Sequence, residues 1–239
     1  MDILSFFDMS CYAKCIACQR LVRKDKFAEL CGNMGVCHDC NEHLPIVPTG
    51  ATFEERNGHV RYTMSTFFYK RPIRDLILDY KFNNCRGYSE VFARYMKIYA
   101  VATFADTLTA DLIIPVPLSA ERMKERGYNQ SELLSRPIAE ELGIAHSTEA
   151  LVRILPTKHQ SKLPAYKRAE NLKSAFVADE SLVKNKSILL IDDVYTTGNT
   201  LKACAGALHK AGARSIAGYT LARKFSVNHS REYNSIINK

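Results

Sequence analysis

The most informative segment of the chain runs Ile188-Leu189-Leu190-Ile191-Asp192-Asp193-Val194-Tyr195-Thr196-Thr197-Gly198-Asn199-Thr200. Its first part is continuously apolar, which is typical of a buried strand, and its last part is a hydroxyl-rich loop that opens an amphipathic helix. Backbone N–H groups at such a helix start, together with threonine hydroxyls, favour a bound phosphate. Two acids at the carboxyl end of the strand can accept hydrogen bonds from vicinal sugar hydroxyls. The segment therefore predicts a sugar-phosphate site.

The predicted site has two parts. We expect Asp192 and Asp193 to hold the ribose hydroxyls, and we expect the 5-phosphate to lie against Thr196, Thr197, Gly198, Asn199 and Thr200. The alternative is an ordinary strand-to-helix turn with an N-cap, which is a common structure. The order of apolar strand, two acids, two residues, Thr-Thr-Gly, one residue and Thr resembles the phosphoribosyl-pyrophosphate signature of type I phosphoribosyltransferases.

Length and composition fit one sizeable domain with a small appendage. The chain has 239 residues, of which 46% are apolar and 24% are charged, and these are ordinary values for a soluble globular protein. Its apolar runs are far shorter than the roughly 20 residues needed to cross a bilayer, and Asp2 stands where a signal peptide would carry basic residues. We therefore expect a cytoplasmic protein without membrane insertion. The net charge of +8 favours anionic partners, which include both phosphorylated metabolites and nucleic acids.

Cysteines concentrate at the start of the chain, where six of the eight lie before residue 41. Cys15-x-x-Cys18 and Cys37-x-x-Cys40 are separated by 18 residues, which is the spacing of a four-thiolate zinc ribbon. Four thiolates complete a tetrahedron with no position left for water, so we predict a structural Zn²⁺ held by Cys15, Cys18, Cys37 and Cys40. The alternatives are a disulfide framework and a redox pair.

Other residues near these cysteines leave further alternatives. Cys11 and Cys31 are surplus, and His38 stands between the last two ligands, so an exchanged ligand set is possible. Basic residues around the cysteines, among them Lys14 and Arg20, form either a solvated face or a nucleic-acid contact, and we favour the solvated face. Turn-forming residues after Leu44-Pro45 predict a linker. We expect a zinc-knuckle domain over 1–48 and a second domain over 49–239.

The rest of the chain alternates between strands and helices. The pattern predicts a strand over 62–69, a helix opening at Pro72, a helix from Ser89 to about Ala105, and a strand over 112–116. A helix before Gly143 is expected to kink or restart at Pro137. A strand-helix-strand unit from Ser187 to Leu221 completes an α/β fold, a parallel sheet with helices on both faces. We expect residues 225–239 to be frayed.

Two basic segments accompany the acids. The segment from Arg122 to Gln130, which includes Arg126 and Asn129, follows the strand that ends at Pro115-Val116-Pro117. Its cations and amides should therefore project over the same edge as the acids and receive a pyrophosphate. The alternative is a solvated basic helix with Asn129 as an N-cap. A later segment is rich in cations and resembles a mobile hood, suited either to shielding a reaction from water or to binding a nucleic-acid backbone. Its charged residues are Arg153, Lys158, Lys162, Lys167, Arg168, Glu170 and Lys173.

The order of these blocks resembles the ComF family, in particular its ComFC-like members. The blocks are the four-cysteine knuckle ending in Leu-Pro, Asp-Tyr-Lys81-Phe, Pro-Val-Pro-Leu, Arg126-Gly-Tyr-Asn-Gln, the residues Arg153, Thr157, Gln160, Leu163, Arg168, Asn171 and Phe176, and Asp-Asp-Val-Tyr-Thr-Thr-Gly. The resemblance covers nearly the whole chain and adds Lys81 to the substrate-binding residues. Asn199, Pro137 and Cys31 depart from the family pattern.

The resemblance implies a zinc knuckle fused to a type I phosphoribosyltransferase-like domain. It further implies a cytoplasmic protein that binds phosphoribosyl pyrophosphate with Mg²⁺ and takes part in DNA uptake during natural transformation, with a ComFA-type helicase and single-stranded DNA as partners. Asp192, Asp193 and Arg126 would then be the catalytic residues. Pyrophosphate would leave the sugar C1 through an oxocarbenium-like state, with catalysis by positioning and charge neutralisation.

Three classes of function stay open from the sequence. The first is an active transferase, which the intact acid pair favours, although no residue identifies the acceptor. The second is a non-catalytic single-stranded DNA-binding or regulatory module, which the excess of cations favours. The third is a scaffold that links a helicase to other uptake proteins through the knuckle.

Overall fold

The computed structural model describes residues 11–27, 35–55, 58–83, 85–104, 109–154 and 174–224. The strands in chain order are β1 (Tyr12–Lys14), β2 (Leu21–Arg23), β3 (Phe53–Glu54), β4 (Tyr62–Phe68), β5 (Leu112–Pro115), β6 (Ala145–His146), β7 (Leu151–Arg153), β8 (Phe176–Ala178), β9 (Ser187–Tyr195) and β10 (Ser215–Arg223). The helices are α1 (His38–Glu42), α2 (Ile73–Phe82), α3 (Tyr88–Phe104), α4 (Ala120–Arg126), α5 (Gln130–Leu142), α6 (Glu180–Val183) and α7 (Asn199–Lys210).

Within the described residues, the main sheet has six strands in the order β3-β4-β10-β9-β5-β6. The strands from β4 to β6 are parallel, and β3 joins the edge antiparallel to β4. The predicted parallel sheet is therefore confirmed, with one antiparallel edge strand added. Because β9 lies between β10 and β5, the segment that ends in Asp192-Asp193 occupies the middle of the sheet.

Alternate residues of β9 pack on opposite faces of the sheet. Leu189 and Ile191 belong to the cluster that contains the buried residues of α2, α3 and α5. Ile188 and Leu190 belong to the cluster on the other face, with α7 and the antiparallel strands β7 and β8. Replacing one of these fully buried leucines by alanine would cost about 2–5 kcal/mol. The continuous apolar run thus has a structural reason, since both of its faces are covered.

The helix α5 runs through Pro137 as one helix and ends at Gly143, which has φ 64°. The expectation of a restart at Pro137 is wrong. A proline in a helix loses one backbone hydrogen bond and crowds the carbonyl four residues earlier. Burial of Leu134 and Ile138, both 0% exposed, offsets that loss.

The cysteine-rich part packs directly on the sheet. Ile46 bridges to Phe67 of β4, and the N–H of Val47 donates to the carbonyl of Thr66 at 2.9 Å. On α3, the hydroxyl of Tyr95 donates to Asn41 Oδ1 at 2.6 Å, next to the last cysteine of the cluster. One hydrophobic cluster runs from Cys15 through the core of the larger part. The predicted domain boundary at residues 48 and 49 therefore lies within a shared core, and it stays a prediction.

Several predicted features lie outside the described residues, namely Cys31, the tail over 225–239 and the hood between 155 and 173. The predicted linker carries structure of its own, because β3 lies within it. Among the residues that the structure describes, no helix combines the length and the apolar character required to cross a bilayer.

Candidate functional site

A cleft of about 310 Å³ opens at the carboxyl edge of the parallel strands, which is where ligands bind in open α/β sheets. It lies at the ends of β4, β5, β9 and β10 and at the start of α5. Its charged lining consists of the acids Asp192 and Asp193 and the cations Lys81, Arg122, Arg126, Arg153 and Lys224. The remaining lining residues are Tyr69, Val116, Pro117, Leu118, Ser131, Val194, Thr196 and Thr200. The excess of cations over acids suits a polyanion that also carries hydroxyl groups.

The two acids point to different partners. Asp193 accepts a 2.8 Å hydrogen bond from Lys81 Nζ, and the two side chains are only 12% and 18% exposed. Asp192 Oδ1 accepts from the hydroxyl of Ser131 at 3.1 Å and from the backbone N–H of Asp193 at 2.9 Å. Both carboxylates are thereby fixed in orientation while they line the cleft.

Burial raises the pKa of Asp192 to about 7, and the neighbouring Asp193 carboxylate adds to this rise. Lys81 and the hydrogen bonds from Asp193 and Ser131 oppose it. Two carboxylates in one site disfavour simultaneous ionisation. A cation or a hydrogen-bond donor that enters the cleft would therefore favour the ionised pair.

The loop after β9 forms one wall of the cleft. The strand β9 extends to Tyr195, so the loop begins at Thr196 and leads into α7. Thr196 and Thr200 line the cleft, and Thr197 and Asn199 are exposed. Gly198 precedes α7 with φ 73°, and α7 has no side-chain cap at this position. The start of α7 therefore offers its positive dipole end to an anion.

Arg126 reaches the cleft from the end of α4. Its Nη1 donates to Gln130 Oε1 at 3.0 Å, and its guanidinium carbon lies 5.2 Å from the centre of the Phe82 ring. Burial lowers the pKa of Arg126 from its ordinary value, and Asp193 opposes this shift. An arginine remains charged after such a shift, so the group is suited to an anionic ligand.

Asn129 and Gln130 are buried behind the cleft. Asn129 accepts from the N–H of Ser131 at 3.0 Å as the N-cap of α5, and its amide donates to the carbonyl of Val116 at 3.1 Å. Gln130 is 0% exposed and contacts Arg126. Neither residue is part of the cleft lining, and the capping alternative describes Asn129 in this structure. A ligand contact by either residue stays a prediction.

Three polar lining residues were missing from the sequence prediction. Tyr69 follows β4, Lys224 follows β10 and Ser131 lies in the first turn of α5. Parallel strands bring their carboxyl ends to one edge, so the residue after each predicted strand was the available signal. That rule finds Tyr69 and Lys224 only with the observed strand ends, Phe68 of β4 and Arg223 of β10, because the sequence placed these ends at Tyr69 and Leu221.

The four predicted zinc ligands lie close together, and all of them precede the cleft residues in the sequence. The Sγ atoms of Cys15, Cys18, Cys37 and Cys40 all lie within 4.8 Å of one another. A tetrahedral zinc with bonds of about 2.3 Å separates its sulfurs by about 3.8 Å, so these residues fit the ion. Among the described residues the group consists of cysteines alone, without His38.

Positive charge favours thiolate at one of these cysteines. Burial acts to raise the pKa of Cys18, but hydrogen bonds, chiefly from Arg20, lower it to about 6. The Nε atom of Arg20 lies 3.4 Å from the Cys18 sulfur. Arg20 thus contacts the cluster, which the solvated-face interpretation did not include.

Comparison with known proteins identifies similar chains. Residues 103–235 match the profile of the phosphoribosyl transferase domain family. The DNA utilization protein YhgH of Salmonella typhimurium is 30% identical over 219 residues, which cover 90% of this chain and 92% of that protein. Competence protein F of Haemophilus influenzae is 29% identical, and the match covers 87% of this chain and 90% of that protein. Competence protein ComFC of Bacillus subtilis is 28% identical, and the match covers 87% of this chain and 83% of that protein.

Proposed function

This chain belongs to the ComF family of phosphoribosyl transferase domain proteins, and from that premise we propose that its cleft binds phosphoribosyl pyrophosphate together with Mg²⁺. The observation that carries the proposal is the convergence of two acids, a helix-start loop and five cationic side chains on one cleft. A phosphorylated pentose with a pyrophosphate group has the matching chemistry, since it combines hydroxyls with two anionic ends.

Each part of the ligand has a proposed receiver. The 5-phosphate lies against the loop from Thr196 to Thr200, where helix N–H groups and threonine hydroxyls donate. The ribose hydroxyls donate to Asp192 and Asp193. The pyrophosphate lies toward Arg126 and the other cleft cations, because guanidinium forks match phosphate oxygens.

The residues also fit Mg²⁺, which prefers carboxylate and phosphate oxygens. Asp192 and Asp193 would hold the ion, directly or through water, beside the ribose hydroxyls and pyrophosphate oxygens. When bound, Mg²⁺ supplies further neutralisation of the pyrophosphate charge. The elevated pKa of Asp192 would fall in the presence of such a cation, since a nearby positive charge favours the carboxylate.

In a transfer reaction, the bond between the sugar C1 and the pyrophosphate oxygen breaks, and an acceptor atom forms a new bond to C1. Arg126 and the neighbouring cations hold the departing pyrophosphate, which leaves with the bonding electron pair. Asp192 and Asp193 hold the ribose, whose ring develops positive charge. Positioning and electrostatics account for such catalysis, without a nucleophilic side chain.

The proposal extends to a cytoplasmic role in DNA uptake or utilisation. This role is supported by the relatives' names, competence protein and DNA utilization protein. Single-stranded DNA and a ComFA-type helicase are the proposed partners. Cleft cations such as Arg122 and Lys224 give a DNA backbone a salt-dependent contact, and they support a non-catalytic DNA-binding module as the second candidate. We also propose that the four cysteines hold a structural zinc ion.

Calorimetry with two ligands tests the cleft. We expect the variant Asp192→Asn/Asp193→Asn to lose at least about tenfold in affinity for phosphoribosyl pyrophosphate with Mg²⁺, because charged hydrogen bonds to the sugar are removed. Its affinity for inorganic pyrophosphate should fall less, because the cations are intact. Asp75→Asn is the matched control, since Asp75 of α2 pairs with Arg71 and Arg74 away from the cleft lining.

The outcomes separate the candidate functions. Turnover of labelled phosphoribosyl pyrophosphate with a nucleobase or nucleic acid, abolished in the double variant, supports the transferase. DNA binding retained in the double variant, without turnover for any acceptor, supports the non-catalytic module. Failure of the wild-type protein to bind phosphoribosyl pyrophosphate contradicts the proposed function.

A further inference from the structure

A buried carboxylate, Glu55, lies behind the loop that the proposed function assigns to the phosphate. It follows β3 at the edge of the sheet, and its side chain is only 7% exposed. Its Oε1 accepts from the hydroxyl of Tyr195 at 2.5 Å and from the hydroxyl of Thr63 at 3.3 Å, and its Oε2 lies 3.2 Å from Lys202 Nζ. This single side chain therefore connects β4, β9 and α7.

The two outer partners of Glu55 flank the phosphate loop along the chain. Tyr195 is the last residue of β9, directly before Thr196, and Lys202 lies in the first turn of α7. A carboxylate bound to both residues fixes the beginning and the end of the loop relative to each other. The loop's N–H groups can serve an anion only if they keep one orientation, so this fixation has a functional consequence.

The Tyr195 side chain also supports the middle of the loop. A Cβ placed on Gly198 would lie 2.5 Å from the Tyr195 hydroxyl oxygen, so the backbone of the loop rests close to this group. On the ring, the guanidinium carbon of Arg223 lies 4.6 Å from the Tyr195 centroid and 3.4 Å from that of Phe53. Burial raises the pKa of the Tyr195 hydroxyl, as does its bond to Glu55, so it remains a donor.

The charge of Glu55 is compensated locally. Lys202 pairs with it, and Arg223 stacks on the ring that it holds. An uncompensated carboxylate behind the loop would oppose binding of an anion, since like charges repel. The paired arrangement lets Glu55 fix the loop without that cost.

We propose that Glu55 is a positioning residue that holds the loop over 196–200 in its phosphate-receiving shape through Tyr195 and Lys202. The inference rests on the proposed function and deepens it, because it assigns a role to the residue that follows β3, outside the sequence motif. Glu55 acts from behind the loop and does not line the cleft.

The loop can be examined without ligand by amide hydrogen exchange. In Glu55→Ala we expect the Lys202 amide, which donates to the Gly198 carbonyl of the loop at 2.9 Å, to exchange at least about fivefold faster, because this bond breaks more often once the loop is released. Tyr195→Phe removes only the hydroxyl and should show the same change to a smaller extent. Glu54→Ala, at the exposed neighbouring acid, is the matched control and should exchange like the wild type.

Binding separates this inference from the proposed function. Ribose 5-phosphate engages the loop, whereas inorganic pyrophosphate engages the cations, so Glu55→Ala should lose about tenfold in affinity for ribose 5-phosphate and little for pyrophosphate. Unchanged exchange and unchanged affinity in Glu55→Ala and Tyr195→Phe would overturn the inference while the proposed function stands. If the wild-type protein binds neither compound and exchange is still accelerated in the variants, Glu55 holds the loop, but its proposed role in phosphate binding is overturned.

Discussion

The position of Gly198 imposes two requirements, a left-handed backbone and the absence of a side chain, that only glycine meets together. Its φ of 73° lies in the left-handed region, and an added Cβ would meet the hydroxyl of Tyr195 at 2.5 Å. Both features belong to the loop that would receive the phosphate. The glycine in Thr-Thr-Gly is therefore explained by space as well as by backbone conformation.

Gly198→Ala should lower the free energy of unfolding by about 2–4 kcal/mol, since strain and overlap add. Gly143→Ala is the control, because Gly143 has φ 64° with no atom near its added Cβ. It should lose about 1 kcal/mol, the cost of the backbone conformation alone. Urea unfolding of the two variants measures the difference, and equal losses would show that Tyr195 moves aside without cost.

Asp192 predicts a pH dependence of stability. Burial raises its pKa to about 7, above the ordinary value of 3.8. Above pH 3.8 the native state keeps a proton that the unfolded state has released. The contribution of this proton to the unfolding free energy is complete below that pH and is lost as the pH rises through about 7. We expect the unfolding free energy to fall by about 1 kcal/mol from roughly pH 6 to pH 8.

The same titration of Asp192→Asn provides the comparison for this prediction. The amide cannot ionise, so its unfolding free energy should change less over that pH interval. Parallel curves for the wild type and the variant, measured by urea unfolding at each pH, would assign the pH dependence to other groups.

An ion pair connects α2 to β9 in addition to their shared hydrophobic cluster. Lys81 in the last turn of α2 reaches Asp193 at 2.8 Å, and both side chains are mostly buried. Removing one member of a buried pair leaves the other charge without compensation. The pair thus holds the acid in the cleft and joins a helix to the central strand.

Lys81→Met should reduce the unfolding free energy at neutral pH by about 2–3 kcal/mol, below the full cost of a buried pair because some water reaches the site. Lys184→Met removes a comparable contact to Glu180 at 2.8 Å, but there the side chains are 61% and 65% exposed. That control should lose no more than about 0.5 kcal/mol. Chemical denaturation of both variants measures the contrast, and similar losses would mean that the Lys81 pair is effectively solvated.

Strongly periodic elements could be predicted from the sequence. The helix α2 was expected from Pro72 onward, and its apolar residues at helical spacing, Ile73, Leu76, Ile77 and Tyr80, are all buried in the structure. In contrast, β3 has two residues, Phe53 and Glu54, and so short a strand leaves no periodic pattern. Its place in the sheet depends on pairing with β4, which is a tertiary contact.

The cleft could likewise be predicted where it depends on a local motif, but not where it depends on tertiary contacts. The acids and the threonine loop share one local motif, and the structure places Asp192, Asp193, Thr196 and Thr200 on the cleft. The pairing of Lys81 with Asp193 joins residues 112 positions apart, which no local pattern encodes. Asn129 followed its local capping preference, as its type and position before α5 would indicate.

The cysteine cluster and the α/β part share one hydrophobic core, which makes the proposed metal important for the entire chain. Residues of the cluster, such as Cys15 and Cys37, are in the same buried group as Phe67 of β4 and Tyr95 of α3. The energy of metal binding would contribute to folding, because a preformed site rarely exists in an unfolded chain.

Cys15→Ser, or removal of the metal by a chelator, should lower the melting temperature by roughly 5 °C or more, since the loss exceeds about 2 kcal/mol. Elemental analysis of the wild-type protein should find about one zinc per chain, as expected for one four-thiolate site. Cys11→Ser is the control, because Cys11 is exposed and outside the cluster. Metal-free wild-type protein with unchanged thermal stability would contradict the structural role of the ion.

A crystal structure of the protein with phosphoribosyl pyrophosphate and Mg²⁺ tests the assignment of the cleft most directly. We expect the 5-phosphate against the backbone N–H groups of residues 196–200 and the ribose hydroxyls within hydrogen-bond distance of Asp192 or Asp193, at about 2.5–3.0 Å. A sugar bound elsewhere, or a cleft that stays free of ligand at saturating concentrations, would contradict the proposed function.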